Sequence, residues 1–173
     1  MLVLLAMTAL VPTVAHAGVA APGRIDLDVP MVRQAPERCG PAALEMVLRY
    51  YHADSTGIRE AGTAYDPALR GSLITDLAAA ARRAGYDAVI ATFTPDSLID
   101  LLGAGVPPIV LYQSGEGPLT VRHFGVVTGW DPSRGRFTLN DGSARPRITG
   151  RAELNRRWAT AGSQALVVRR RSP

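Results

Sequence analysis

The sequence predicts an α+β domain in which helices come first and an antiparallel sheet follows. Apolar residues recur at steps of three and four after Cys39 and again after Gly71, which is the helical period. In the second half, residues 122–130 and 136–140 form two strand-like runs separated by the turn sequence Asp-Pro-Ser-Arg-Gly. Two strands joined by so short a turn predict an antiparallel hairpin.

The composition is that of one globular domain without a nucleic-acid or metal site. The chain has 173 residues, 47% of them hydrophobic and 20% charged, so it can bury a core. The net charge is +4, and the 19 cationic side chains are all arginines. They are scattered except for residues 169–171, where no aromatic residues interleave, so we expect a solvated tail and no nucleic-acid partner. One cysteine and three histidines are too few and too dispersed for a zinc site, and no cofactor is predicted.

The other elements follow from local signals along the chain. Residues 53–68 are polar and predict a loop with a little helix, and the apolar face of the next helix is expected at Leu73, Leu77, Ala80 and Ala81. Thr94 and Pro95 are typical of a helix start. Strands are predicted at residues 86–92, 107–113 and 164–168, and a short surface helix at residues 149–160.

The N-terminus predicts export. Residues 2–14 are apolar but too short to span a bilayer, and Ala15-His16-Ala17 is a small-x-small cleavage pattern. We therefore expect a signal peptide at 1–17, a linker at 18–27 and one domain at 28–173, with the mature protein periplasmic or secreted and without a stable membrane anchor. An uncleaved N-terminal anchor is the alternative. In an oxidising compartment the lone Cys39 has no internal disulfide partner, which marks it as a free thiol of interest.

Cys39 lies where a helix is predicted to begin. Gly40 and Pro41 are tolerated there, because the N–H groups of the first turn have no intrahelical partner. A thiol at this position experiences the positive end of the helix dipole, which favours the nucleophilic thiolate. The alternative interpretation is that Cys39 is a small buried apolar residue.

A cysteine nucleophile needs a base, and elimination leaves one histidine. His16 belongs to the predicted signal peptide. His52 falls on the same predicted helix, roughly 20 Å from Cys39 at the α-helical rise of ~1.5 Å per residue. His123 begins a strand, where its side chain can face a cleft.

The base in turn needs an orienting group. Asp131 is too far along the same strand, ~26 Å if the chain is extended. If the turn centres near Ser133, Gly125 faces Asp141, and Asp141 lies diagonal to His123 on the same face. A slip of one residue would present Asn140 instead, so Asn140 is the reserve candidate.

These motifs together resemble a known family. Gln34, the run Cys39-Gly-Pro-Ala-Ala-Leu, the run His123-Phe-Gly-Val-Val-Thr-Gly-Trp and the run Leu139-Asn-Asp-Gly are similar to the bacteriocin-processing (double-glycine leader) peptidase family of papain-like cysteine proteases. The similarity is greatest to exported bacterial relatives that lack a transporter. The resemblance implies a papain-like fold with Cys39 as nucleophile, His123 as general base, Asp141 as orienter and Gln34 in the oxyanion hole.

We therefore interpret the chain as an exported thiol hydrolase, a cysteine peptidase that acts on a peptide or protein through an acyl-thioenzyme. Two alternatives stay open. An amidase or acyl-transfer enzyme would use the same thioester chemistry with another acceptor. A non-catalytic peptide-binding module would keep the fold without turnover.

Overall fold

The structure is a computed structural model that describes residues 23–115, 117 and 119–171. The predicted signal peptide and most of the predicted linker lie outside the described residues. The helices within this part are α1 (Cys39–Tyr50), α2 (Ser55–Gly62), α3 (Ile74–Arg83), α4 (Pro95–Gly103) and α5 (Arg151–Ala159). The strands are β1 (Ile25–Asp26), β2 (Tyr86–Thr92), β3 (Ile109–Ser114), β4 (Val121–Asp131), β5 (Arg136–Asn140), β6 (Arg147–Gly150) and β7 (Gln164–Arg170).

The described strands form one antiparallel sheet. Their order is β2-β7-β3-β4-β5-β6, and the short β1 pairs with β4. Helices precede or flank the sheet, so the predicted α+β class is confirmed. The two central strands, β3 and β4, pair along their whole common length from Ile109 opposite Val126 to Ser114 opposite Val121.

Each face of the sheet buries its own core. Ile109, Val126 and Leu166 pack with the apolar sides of α1 and α3, which include Leu44, Val47 and Leu77. The neighbouring residues on the same three strands, Val110, Val127 and Ala165, pack on the opposite face with α4 and α5, through Leu98, Leu102 and Trp158. This alternation is the period of two that a strand imposes on its side chains. On the first of these faces, α1 packs against β4.

Several predicted elements are confirmed within a residue or two, and two details differ. The little helix expected within residues 53–68 is α2, which is two turns long and which Asp54 caps by accepting a hydrogen bond from the Gly57 N–H (2.7 Å). Thr149 belongs to β6, which the sequence analysis missed. Leu73 precedes α3 and is 54% exposed, so its expected place on the buried face was wrong.

The missed strand has a simple physical cause. β6 is a four-residue edge strand with one buried residue, so it carries no periodic apolar pattern. β1 lies within the segment predicted as a linker, and the boundary at residue 28 stays a prediction. Among the described residues, none of the helices combines the length and apolar character needed to cross a bilayer.

Candidate active site

Cys39 is the first residue of α1 and is partly buried. The N-cap residue, Arg38, makes no side-chain capping hydrogen bond within the described part of the chain, so the Cys39 N–H remains available to another group. Gly40 allows a close approach here, because a Cβ at this position would lie 2.8 Å from both Cβ and Oγ of Ser72. The nucleophile candidate therefore stands at a helix start that is held tightly against the segment before α3.

His123 lies near the start of β4, opposite Tyr112 of β3. The two rings make an edge-to-face contact with centroids 5.9 Å apart. Nε2 of His123 lies 2.8 Å from the main-chain oxygen of Asp141. A carbonyl oxygen only accepts hydrogen bonds, so Nε2 carries the proton and Nδ1 is left for the thiol.

The thiol and the imidazole interact within the same cleft and change each other's proton affinity. Burial raises the pKa of Cys39, but the hydrogen bond to His123, a backbone N–H of Phe124 and the charge of His123 outweigh it, so the pKa is lowered. Burial lowers the pKa of His123, whereas the bonds to Cys39 and to the Asp141 carbonyl raise it, and the net direction is upward. Both shifts favour a thiolate–imidazolium pair.

The carboxylate of Asp141 is 2% exposed and contacts groups other than His123. Oδ2 accepts hydrogen bonds from Nε of Arg147 (2.9 Å) and from the hydroxyl of Tyr112 (3.1 Å), and Oδ1 accepts one from the Ser143 N–H (3.1 Å). Sequence analysis expected the Asp141 side chain to orient His123. The structure joins the two residues through the main-chain carbonyl instead, and the orienting role of Asp141 stays a prediction.

The expected strand register at the site is present, for a reason that the sequence did not reveal. Val126 pairs with Asn140, and a Cβ on Gly125 would lie 3.5 Å from Cβ of Asp141. The hairpin end, where Asp131 pairs with Arg136, is one residue out of this register. A β-bulge between Val127 and Gly129 restores it.

Asn140, the reserve candidate, is directed elsewhere. Its Nδ2 donates to the main-chain oxygen of Val29 (2.9 Å), and the residue is buried. Asn140 therefore anchors the segment that leads to Gln34.

Gln34 lines the same cleft as Cys39 and His123. Its Oε1 is buried without a hydrogen-bond partner among the described residues, and it would lie 3.0 Å from a Cβ on Gly142, whose φ is +79°. Gly142 is therefore needed both for its left-handed backbone and for the space it leaves. Nε2 of Gln34 makes no hydrogen bond within the described part of the chain, so it is the amide atom available to a ligand.

A second layer of contacts fixes the loop before Cys39. Glu37 accepts hydrogen bonds from Arg70 (Nε, 2.7 Å) and from the hydroxyl of Tyr65 (3.1 Å). The guanidinium carbon of Arg38 lies 4.1 Å from the centre of the Tyr65 ring. Glu37 adopts a φ of 64°, which is unusual for a residue with a side chain. These contacts hold the strained turn from which α1 begins.

The cleft lies between the start of α1, the helix side, and strands β3 and β4, the sheet side. Its volume is about 750 Å³. That size is typical of small-molecule and peptide sites. Apolar side chains make up much of its wall, including Ile74, Leu111 and Phe124. Among the described residues, no group of three or more His, Cys, Asp or Glu is arranged to hold a metal ion.

The structure brings together the four residues predicted for the site, which are Gln34, Cys39, His123 and Asp141. The other histidine among the described residues, His52, lies away from this site. His52 follows α1 at its far end, next to Arg169 and Arg170. Sequence reasoning missed Tyr112, Arg147 and Ser72. A tyrosine in a buried strand was the only signal for Tyr112, and no local pattern distinguishes Arg147 or Ser72.

Comparison with known proteins places the chain among peptidases of this architecture. The structure resembles a putative C39-like peptidase from Bacillus anthracis (TM-score 0.68, 17% identity, covering 88% of this chain and 100% of that chain). It also resembles the peptidase domain of Streptococcus ComA, a bifunctional ABC transporter of a quorum-sensing pathway (0.65, 17%, 83% and 99%). A third is a double glycine motif protease from an AMS/PCAT transporter in complex with the leader peptide (0.63, 22%, 86% and 95%).

At these identities the structural likenesses show the fold, which is papain-like. No curated protein sequence matches the chain at a significant level. The model of the Peptidase_C39 like family, however, matches residues 26–166, which is well over half of the chain. The protein therefore belongs to the Peptidase_C39 like family of cysteine peptidases.

Proposed function

We propose that the protein is an exported cysteine peptidase that cleaves peptide bonds through an acyl-thioenzyme on Cys39. The observation that carries the proposal is the pairing of Cys39 with His123 in one cleft, with the imidazole held by the Asp141 carbonyl. A thiolate at a helix start next to an imidazolium is the arrangement that nucleophilic catalysis by cysteine requires.

The reaction has two steps, acylation of Cys39 and hydrolysis of the resulting thioester. The Cys39 thiolate attacks the carbonyl carbon of the peptide, the C–N bond breaks, and the His123 imidazolium gives its proton to the leaving amine. Water then attacks the thioester while His123 takes a proton from it, the C–S bond breaks, the carboxylic acid is released, and the thiolate and imidazolium are restored. The carbonyl acceptor at Nε2 keeps Nδ1 directed at the reacting atoms in both steps.

The oxyanion formed in each step needs donors about 3 Å away. The backbone N–H of Cys39 supplies one, because Arg38, the N-cap residue of α1, makes no side-chain capping hydrogen bond among the described residues. Nε2 of Gln34 supplies the second, since its Oε1 is packed against Gly142. Gln34 is held in place by its own N–H, 3.4 Å from the Gly142 oxygen.

The substrate is a peptide with apolar side chains near the scissile bond. The apolar wall of the cleft supports this, as do Leu73 and Val121, which are 54% and 62% exposed and line it. One structural relative was solved in complex with a leader peptide, which is consistent with a peptide in the corresponding groove.

Export is part of the proposal and rests on residues 1–17. The apolar run and Ala15-His16-Ala17 support removal of a signal peptide and a mature protein in the periplasm or outside the cell. The intact mass of the protein recovered from the exported fraction tests this: we expect it to begin near Gly18. Full-length protein in the cytoplasm would contradict export without affecting the proposed chemistry.

The peptidase activity is tested with a peptide library derived from a digested proteome, with products identified by mass spectrometry. We expect new cleavage sites with the wild type and none with Cys39→Ala or His123→Ala, whereas His52→Ala, at the far end of α1, should cleave normally. A folded wild type whose Cys39 is alkylated rapidly but whose cleavage equals that of Cys39→Ala would contradict the proposal. Acyl transfer to an added amine without hydrolysis would identify an acyl-transfer enzyme instead.

Gln34→Ala should lower kcat by roughly 10²–10³ and change KM little, because an oxyanion donor acts mainly in the transition state. Alkylation of Cys39 forms no oxyanion, so its rate should hardly change. Gln113→Ala is the matched control, since its Nε2 donates to Thr120 outside the cleft (2.7 Å). An unchanged kcat in Gln34→Ala would remove Gln34 from the site.

A further inference from the structure

Asp141 contacts His123 through its main chain, yet its buried carboxylate makes hydrogen bonds to other groups. Arg147, Tyr112 and Ser143 all donate to it, at 2.9, 3.1 and 3.1 Å. The bond to the imidazole comes from the main-chain oxygen of the same residue, at 2.8 Å. The position of that oxygen therefore depends on what anchors the side chain.

Arg147 differs from the other two donors. The Ser143 N–H is two residues away in the same turn, and the Tyr112 hydroxyl is neutral. Arg147 comes from a separate element, β6, where it pairs with Leu139, and it brings the formal positive charge. Bonds between a guanidinium and a carboxylate are among the strongest hydrogen bonds in proteins.

The charge of Arg147 also matters for the imidazole. An uncompensated carboxylate beside a histidine stabilises the imidazolium and raises its pKa. Asp141 acts on the charge of His123 in this direction. A guanidinium bonded to that carboxylate opposes the effect.

We propose that Arg147 is a positioning residue of this active site. Its guanidinium holds the Asp141 carboxylate, which presents the Asp141 carbonyl to Nε2 of His123, and it compensates the negative charge that would otherwise act on the imidazole. The inference rests on the proposed function, because it defines the role of Arg147 relative to the pair of Cys39 and His123.

Other charged groups around the imidazole come from several elements. They are Cys39 of α1, Arg122 of β4, the Glu37–Arg70 pair across the cleft and the Glu153–Arg157 pair of α5 behind Arg147, while Tyr112 of β3 is titratable but neutral. The two pairs carry no net charge. Arg122 is exposed at the cleft edge, where solvent screens its charge. Arg147 is thus the cation bonded directly to the group that contacts His123.

The test is the pH dependence of Cys39 alkylation by iodoacetate. This anionic reagent is attracted by the imidazolium, so its rate rises as the thiolate forms and falls when His123 loses its proton. The alkaline limb of the profile therefore reports the pKa of His123. No substrate turnover is needed. If His123→Gln and the wild type had the same alkaline limb, His123 would not act on the thiol and the proposed function would fail. That result differs from the results, given below, that overturn the inference about Arg147.

Three variants give the expected pattern. Arg147→Gln leaves the carboxylate uncompensated and should move the alkaline limb upward by about 1 pH unit. Asp141→Asn leaves the guanidinium uncompensated and should move the limb downward. The double variant should return near the wild type, and Arg147→Lys, which keeps the charge, should stay close to it.

Arg145→Gln is the matched control, because Arg145 is exposed, has no ion pair within the described residues and gives the same change in net charge. Its limb should remain at the wild-type position. The inference is overturned if Arg147→Gln titrates like the wild type, or if the double variant titrates like Asp141→Asn. The comparison of the double variant with Asp141→Asn tests the inference even if Arg147→Gln does not fold, because the double variant buries no unpaired charge. A loss of thermal stability without a shift of the limb would mean a merely structural role.

Discussion

Two pairs of arginine and carboxylate support the site, one in the cleft wall before Cys39 and one behind His123, and the two pairs differ in burial. On the helix side, the side chains of Glu37 and Arg70 are 31% and 77% exposed. On the sheet side, Asp141 is 2% exposed and Arg147 is 43% exposed. The chemistry of the two pairs is the same, so the difference in their contribution comes from solvent.

The comparison separates two ways of holding a functional side chain. Cys39 is placed by a helix start, and the exposed pair only tightens the loop before it. His123 is placed by a buried network in which the carboxylate of Asp141 accepts hydrogen bonds from three donors. Water can replace a lost partner on the helix side and cannot do so on the sheet side.

The largest effect on stability is therefore expected on the sheet side. Arg147→Gln should lower the free energy of unfolding by about 2–3 kcal/mol, at or below the ~3–5 kcal/mol typical of breaking a buried pair, because Arg147 is partly exposed and two donors remain. Chemical denaturation at neutral pH measures this. A loss no larger than that of an exposed arginine would show that the network is not needed for the fold.

The pH dependence of this loss has a defined sign. Burial raises the pKa of Asp141, but the hydrogen bonds from Ser143, Arg147 and Tyr112 outweigh it, so the folded-state pKa is lowered. The stability that the pair contributes is therefore present above the unfolded pKa of ~3.9 and is lost as the pH falls through the lower folded value. The difference between variant and wild type should shrink over that acidic range.

A smaller effect is expected where the helix side is most tightly packed. Gly40→Ala forces a Cβ to within 2.8 Å of Ser72, which should cost about 1–3 kcal/mol of stability. Ser72→Gly removes the obstructing atoms and should recover much of the loss in the double variant. Gly62→Ala in α2 is the control, because no atom of the described residues lies within 4 Å of a Cβ added there. Additive effects of Gly40→Ala and Ser72→Gly would contradict this account of the contact.

The smallest effect is expected for the exposed pair. Arg70→Gln should leave the midpoint of chemical denaturation almost unchanged, since exposed ion pairs are screened and replaced by water. Parallel denaturation of Arg70→Gln and Arg147→Gln sharpens the comparison. Equal losses in the two variants would show that burial is not what distinguishes them.

The helix side was largely predictable from the sequence because its signals are local. The start of α1 follows from the spacing of apolar residues after Cys39, and the start of α4 from Thr94 and Pro95. The sheet side was predictable only in part. The hairpin of β4 and β5 was expected, but the bulge near Thr128 that sets the register is visible only when both strands are in place.

The roles of Tyr112 and Arg147 depend on contacts between residues that are distant in the chain. Tyr112 reaches Asp141 across β4, and Arg147 reaches it from an edge strand that the sequence did not reveal. Predicting that His123 lies near Asp141 required only the hairpin register. Predicting which atom of Asp141 contacts the imidazole required knowing every competitor for its carboxylate.

The central claim is that Cys39 and His123 form an activated thiolate–imidazolium pair. The most direct test is the rate of Cys39 alkylation by iodoacetamide as a function of pH, in the wild type, in His123→Ala and in His52→Ala as control. Burial raises the pKa of Cys39, but the opposing effect of His123 and backbone N–H groups is larger, so the net pKa is lowered. The reaction should therefore be rapid well below the free-thiol pKa of ~8.5. His123→Ala should move the midpoint back toward that value, and His52→Ala should not. A wild-type midpoint at or above ~8.5 would contradict the claim.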